Sequence, residues 1–171
     1  SSDKILKHLD RVNAWLSGEN PAPITVELDL TNICNHRCPE CSGWFHFQNR
    51  SRDSLPLDLA KDIIRQLSEA RVRGLIFTGG GEPLCYPHIK EVVKLAHNFG
   101  LDIGFITNGT LINEEIARVL LDCCRWLRVS LDAVSAKDFK IIHGLDGDAF
   151  DKVLDNIRLL KKKKKKIKAK S

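Results

Sequence analysis

The 171-residue chain has no methionine, one tyrosine and three tryptophans, and aromatic residues make up only 6% of it. With Met absent even from the first position, the expectation is a chain trimmed from a longer one. Long apolar runs are missing too. No segment approaches the ~18 residues that a membrane span needs, and the opening SSDKILKHLD lacks the apolar core of a signal peptide. A membrane protein and a secreted one are therefore both unexpected, and a cytoplasmic location is the natural reading. At 43% apolar and 29% charged residues, the composition is that of a soluble globular protein of one domain.

Basic character is also missing where it would matter. The formal charge is +5, but eight of the 27 basic side chains lie in residues 161–171, KKKKKKIKAKS. The remaining 160 residues carry 19 basic against 22 acidic side chains, a net charge of −3. The high isoelectric point belongs to a terminal lysine run, which reads as a solvated tail without fixed structure. Such a run can contact nucleic acid without sequence preference, and nothing else in the chain suggests a nucleic-acid partner.

What is present is a repeating pattern. Ile5, Leu9, Val12 and Leu16 lie on one helical face, and Gly18, Pro21 and Pro23 end that helix. Residues 24–31 alternate as a strand, with Ile24, Val26, Leu28 and Leu30 on one side. Helical spacing follows over 57–72, a short strand over 75–78, a helix over 88–99 and a strand over 101–107. Asn113 caps the next helix, residues 126–132 form a fourth strand, and Ser135 caps a short helix through Ile142. Phe150, Val153, Leu154, Ile157 and Leu160 mark the last helix. The fold class is therefore α/β: four βα units, parallel strands and right-handed crossovers. The organisation expected is a helix and linker over 1–22, a core over 23–160 and the tail over 161–171.

In such sheets ligands bind at the carboxyl ends of the strands, and the unusual residues fall there. CNHRCPEC follows the first strand, GGGEP the second and NGT the third, while Ser130 and Asp132 end the fourth. Cys34, Cys38 and Cys41 have the spacing C-x3-C-x2-C. Three thiolates on one loop can hold three irons of a cubane and leave the fourth open. Zinc is the rival, with His36 or His46 as a fourth ligand. The spacing favours iron–sulfur. Gly79, Gly80 and Gly81 let a ligand touch backbone, and their carbonyls and Glu82 can accept hydrogen bonds from an amine. No GK[ST] follows, which excludes a phosphate-binding P-loop.

As a set, these elements resemble the radical S-adenosylmethionine (SAM) family over about residues 24–160. The cysteine motif, the GGE of Gly80-Gly81-Glu82, ITNG and VSLDA all match, in order and at the proper strand ends. The resemblance is greatest to the subgroup that modifies peptides or assembles cofactors. It implies a partial (βα) barrel, here about four units of a six-unit core, with a [4Fe-4S] cluster on Cys34, Cys38 and Cys41. It further implies SAM chelating the open iron. Gly80, Gly81 and Glu82 would receive its amino group, Ser130 its carboxylate, and Asp132 and Asn108 would lie near the carboxylate or the ribose. The implied reaction is reductive SAM cleavage to a 5′-deoxyadenosyl radical that takes hydrogen from an unknown substrate, a peptide being one candidate. The implied partner is a flavodoxin- or ferredoxin-like electron donor. The alternatives are an inactive truncated fragment, and a zinc module whose basic tail contacts nucleic acid.

Three departures from the family pattern stand out. Glu40 replaces the aromatic residue usual before the third cysteine, leaving Trp44 or Phe45 to face adenine. His143 stands where many relatives have an arginine for SAM's carboxylate, and imidazole offers one hydrogen bond where guanidinium offers two. Two βα units are missing, and with them most substrate contacts. Of the other reactive residues, Cys85 and His88 lie close enough to GGGEP to face the site. Cys123, Cys124, Trp15 and Trp126 read as packing, and either Glu27 or Asp29 can point into the barrel.

Overall fold

The computed structural model of the protein describes residues 6–41, 53–146 and 148–168. Strands β1 (Thr25–Asp29), β2 (Gly74–Thr78), β3 (Asp102–Thr107) and β4 (Cys124–Val129) form one sheet in sequence order, and each neighbouring pair is parallel. Helix α1 (Leu9–Leu16) precedes them. Helices α2 (Leu57–Glu69), α3 (Ile89–Asn98) and α4 (Glu114–Cys123) are the crossovers, and α5 (Ala136–His143) and α6 (Asp148–Lys168) follow β4. When every strand is added on the same side by a crossover of the same hand, all the helices land on one face. Sequence order 1-2-3-4 is thus the winding of a barrel segment, whereas a doubly wound sheet reverses its order.

The apolar periodicities meet on that helical face. Leu28, Leu75, Phe77, Ile103 and Phe105 pack against Ile64 of α2, Val92, Val93 and Ala96 of α3, and Leu120 of α4, all of them buried. Two helix starts, those of α4 and α5, follow side-chain caps. The Asn113 carboxamide oxygen accepts from the Ile116 N–H at 2.9 Å, and the Ser135 hydroxyl from the Asp138 N–H at 3.2 Å. The opposite face is the concave one. There Glu27, Ile76, Gly104 and Trp126 lie side by side in register. A Cβ at Gly104 would sit 2.2 Å from the Trp126 ring, so this glycine lets the indole lie across β3.

The boundaries shift in three places. The fourth strand begins at Cys124 and ends at Val129, short of the 126–132 expected. A register irregularity opposite Ile103/Gly104 lets Cys124 and Leu127 both face the helices, and Asp132, at φ 45°, carries the chain away. The last helix does not stop at Leu160. It continues through the lysines to Lys168, where the tail was expected. Lysine is a good helix former and favours a helix C-terminus, and the Lys163 ammonium pairs with the Glu114 carboxylate of α4. Trp15 does not pack: it is 68% exposed on α1. No helix among the described residues is long and apolar enough to cross a membrane.

Candidate metal centre and cofactor site

The cysteine loop leaves β1 and is tied down at both sides. On the β2 side, the Gly81 N–H donates to the Thr31 carbonyl at 3.0 Å and the Glu82 N–H to the Ile33 carbonyl at 2.9 Å. Gly81 matters here for a reason other than the ligand access expected of it. A Cβ would lie 2.3 Å from the Ile33 oxygen, so the missing side chain is what lets the cysteine loop dock. The Gly80 N–H donates to Asp29 Oδ2 at 3.0 Å, so of the two acids on the concave side of β1 it is Asp29 that holds this turn. All three N–H groups of Gly80-Gly81-Glu82 are thereby engaged by β1 and its loop, so carbonyls are what the turn can offer a ligand.

Glu82 is 3% exposed and holds the end of β3 to the turn. Its carboxylate accepts from Thr107 Oγ1 at 2.6 Å, from the Asn108 N–H at 2.7 Å and from the Leu84 N–H at 3.1 Å. Burial pushes its pKa up, and the donors from Asn108, Thr107 and Leu84 oppose that rise. Asn108 completes the network. Its Nδ2 donates to Asn35 Oδ1 at 2.8 Å, and its Oδ1 accepts from the Thr110 N–H at 3.0 Å and the Thr110 hydroxyl at 2.7 Å. Asn35 Nδ2 in turn donates to Thr110 Oγ1 at 2.6 Å. The third strand's NGT thus clamps the cysteine loop from the far side. Cys85 Sγ lies 3.9 Å from Asn35 Oδ1, beside this network, whereas His88 is exposed at the start of α3.

His143 is buried at the end of α5. Its Nε2 donates to the Leu131 carbonyl at 2.8 Å, its carbonyl accepts from the Arg37 N–H at 3.1 Å, and its Nδ1 lies 3.5 Å from Cys38 Sγ. His36 Nδ1 is 3.3 Å from the same nitrogen. Burial, then the neighbouring His143, pulls the His36 pKa down to about 4. Ser130 stays on the ladder through its N–H to the Thr107 carbonyl at 2.9 Å, and Asp132 is exposed just beyond it. The residues expected at the site therefore converge, but Glu82, Asn108 and His143 spend their polar atoms on one another and on the loop. Asn35, Thr107 and Thr110, which sequence reasoning passed over, carry that network. Their signal was position alone: a polar residue inside the cysteine motif, one inside ITNG and one just after it. Trp44, Phe45 and His46 lie outside the described residues.

The donor chemistry fits a polynuclear cluster. Burial pushes the Cys38 thiol up to about 11, and the neighbouring Cys41 and Cys34 push it further in the same direction. Cys34 is raised as well, first by burial. Thiolates crowded this way are stabilised by bound cations. Among the described residues the three sulfurs do not gather around one point as the donors of a single ion do. A cubane, whose irons sit at separate corners, suits that spread better than a lone zinc.

Comparisons with known proteins agree with this arrangement. A family model described as the radical SAM superfamily matches residues 28–169. The chain is similar to an AdoMet-dependent heme synthase of Methanosarcina barkeri, with 31% identity over 147 residues, 82% of this chain and 40% of the relative. It is also similar to the mycofactocin maturase MftC of Mycobacterium ulcerans, with 33% identity over 72% of this chain and 33% of the relative. Among solved structures, Streptococcus suis SuiB bound to the precursor peptide SuiA superposes with a TM-score of 0.65 at 20% identity, over 83% of this chain and 32% of that one. The chain spans less than half the length of these proteins.

Proposed function

Because the chain belongs to the radical SAM superfamily, we propose that it is the cofactor-binding part of a radical SAM enzyme, with Cys34, Cys38 and Cys41 holding a [4Fe-4S] cluster. The superfamily uses such a cluster together with SAM. When bound, the pair supplies a 5′-deoxyadenosyl radical that abstracts hydrogen from the substrate. The protein's part is to fix the loop and shape the space beside it. Gly80 and Gly81 would offer backbone carbonyls to the amino group and Ser130 a hydrogen bond to the carboxylate, with Asp132 and Asn108 near the carboxylate or the ribose, while Glu82 and Asn108 hold the turn and the loop in register. His143 backs Cys38 rather than reaching outward. The observation that carries this reading is the cysteine loop itself, docked at the carboxyl end of β1 by Gly81, Glu82 and Asn35.

For the substrate we propose a peptide, supported by the likeness to SuiB bound to the precursor peptide SuiA and by the similarity to the maturase MftC. A flavodoxin- or ferredoxin-like protein would supply the electron. The reducing cytoplasm is the compartment that keeps six free thiols and an oxygen-sensitive cluster intact. The test is anaerobic reconstitution with iron and sulfide. Wild type should take up both in equal amounts and bind SAM by calorimetry. Cys34→Ala, Cys38→Ala and Cys41→Ala should each lose the cluster, while Cys85→Ala, Cys123→Ala and Cys124→Ala keep it. Full iron and sulfide in Cys41→Ala would overturn the assignment.

A further inference from the structure

The wall behind the cysteine loop has a geometry of its own. His36 Nδ1 and His143 Nδ1 are 3.3 Å apart, and His143 Nδ1 and Cys38 Sγ are 3.5 Å apart. All three donor atoms lie within 4.8 Å of one another. Bonds of about 2.0–2.1 Å to nitrogen and about 2.3 Å to sulfur at tetrahedral angles require edges of about 3.3 Å between nitrogens and about 3.5 Å from nitrogen to sulfur. Both of these edges are those of a tetrahedral zinc-type centre.

Hydrogen-bond accounting says which nitrogens carry protons. The Leu131 carbonyl can only accept, so His143 Nε2 bears a hydrogen. His36 Nε2 lies 3.3 Å from Thr110 Oγ1. The Thr110 hydroxyl proton is given to Asn108 Oδ1, an oxygen identified as such because it also accepts from the Thr110 N–H. Thr110 Oγ1 therefore accepts, and His36 Nε2 bears a hydrogen as well. With both Nε2 hydrogens directed at oxygens, the two Nδ1 atoms are left facing each other and Cys38 Sγ. Donor atoms this close need a shared proton or a cation among them, and a metal ion satisfies all three at once. The rings cannot turn away. Phe139 stacks on His143 with centroids 4.2 Å apart and meets the edge of His36 at 5.8 Å, and it is fully buried. Rings fixed from behind by hydrogen bonds and packing are the usual support of a histidine metal site.

We propose that His36 Nδ1, His143 Nδ1 and Cys38 Sγ form a second metal site, for a single zinc-type divalent ion with water in the fourth position, and that this ion competes with the cluster for Cys38. Two imidazoles and a thiolate are a borderline-soft set that suits zinc and cobalt. The competition rests on the function proposed above, whereas the site does not. A cluster-free chain thus has a resting metal, and cluster assembly must displace it or reclaim its sulfur.

The test is anaerobic titration of the metal-free 171-residue chain with Co2+, followed by displacement with Zn2+. One tetrahedral cobalt should bind, with a thiolate-to-cobalt charge-transfer band. Cys34→Ala and Cys41→Ala should bind it as wild type does. Cys38→Ala should lose the band, and His143→Ala or His36→Gln should weaken binding by about tenfold or more, since losing a ligand costs at least as much as losing a hydrogen bond that orients one. Equal weakening in all three cysteine variants, unchanged affinity in both histidine variants, or no tetrahedral cobalt in wild type would each overturn the site. If a histidine variant fails to fold, the contrast of Cys38→Ala with Cys34→Ala and Cys41→Ala decides, since all three lie on one loop. In a second arm, zinc added before iron and sulfide should slow cluster formation in wild type and not in His36→Gln. Cluster formation indifferent to zinc would remove the competition. Absence of a cluster in every variant would instead count against the proposed function and leave the cobalt result standing.

Discussion

Phe105 and Ile106 are neighbours on β3, yet one is fully buried beneath the helices and the other half-buried on the concave side. The same division runs along every strand. Leu28, Leu75 and Ile103 face α2, α3 and α4, while Glu27, Ile76, Trp126 and Arg128 face the other way, across a surface that no described helix covers. A strand points alternate side chains to opposite faces, and only the irregularity near the start of β4 interrupts that alternation. The helical face carries stability. The concave face and the carboxyl edge above it are free to be polar, and the cysteine loop, Asp29 and the Glu82 network occupy that edge.

The sharpest way to break this division is at β3. Phe105→Ala should cost about 3–5 kcal/mol, the range for an aromatic removed from a packed core. Ile106→Ala should cost about 1 kcal/mol or less, as befits a partly exposed position. Urea unfolding of the two variants measures the difference, and equal costs would mean that the concave face is covered after all. Gly81→Val tests the carboxyl edge. Its Cβ meets backbone, and overpacking of this kind costs about 1–3 kcal/mol. The expected readout is faster hydrogen exchange at Gly81 and Glu82 with loss of cluster uptake, the core exchange rates staying near those of wild type. Glu82→Gln keeps the shape but replaces one acceptor oxygen with a donor facing a donor. It should cost about 1–3 kcal/mol, with a lowered melting temperature. The smallest effect concerns the start of β4. Burial pushes the Cys124 thiol up to about 12, so too little thiolate is present near pH 8 for alkylation. Mass spectrometry after brief iodoacetamide treatment should find Cys124 unlabelled in the folded chain and labelled in urea.

Much of this was legible beforehand because it is local. Asn113 and Ser135 cap their helices as read, since an Asx or Ser side chain needs only the next turn of backbone. The alternation around Leu28 and Leu30 marked the buried side of β1 without any knowledge of its neighbours. The placement of CNHRCPEC, GGGEP and NGT at strand ends followed from counting elements. Where the reading went astray, the partner was distant in sequence. The end of α6 depends on a contact between Lys163 and Glu114, and the exposure of Trp15 on its lying on a side of α1 that no described element covers.

The sequence by itself determined the elements, their order, the parallel sheet and the loop that carries three thiols. Those depend on side-chain period and on residues a few positions apart. Only the tertiary structure decided what the polar residues of that edge do. Gly81 lies 48 residues from Ile33 in the chain and Glu82 lies 26 from Asn108, and these pairs meet because their strands are parallel neighbours in register, whereas His143 lies 105 from Cys38 and meets it only where the loop after β1 and helix α5 after β4 come together across the carboxyl edge. A residue type fixes what a group can donate or accept. Which atom it faces is fixed by the fold, and that is why Glu82 closes a network and His143 turns inward toward Cys38 and His36.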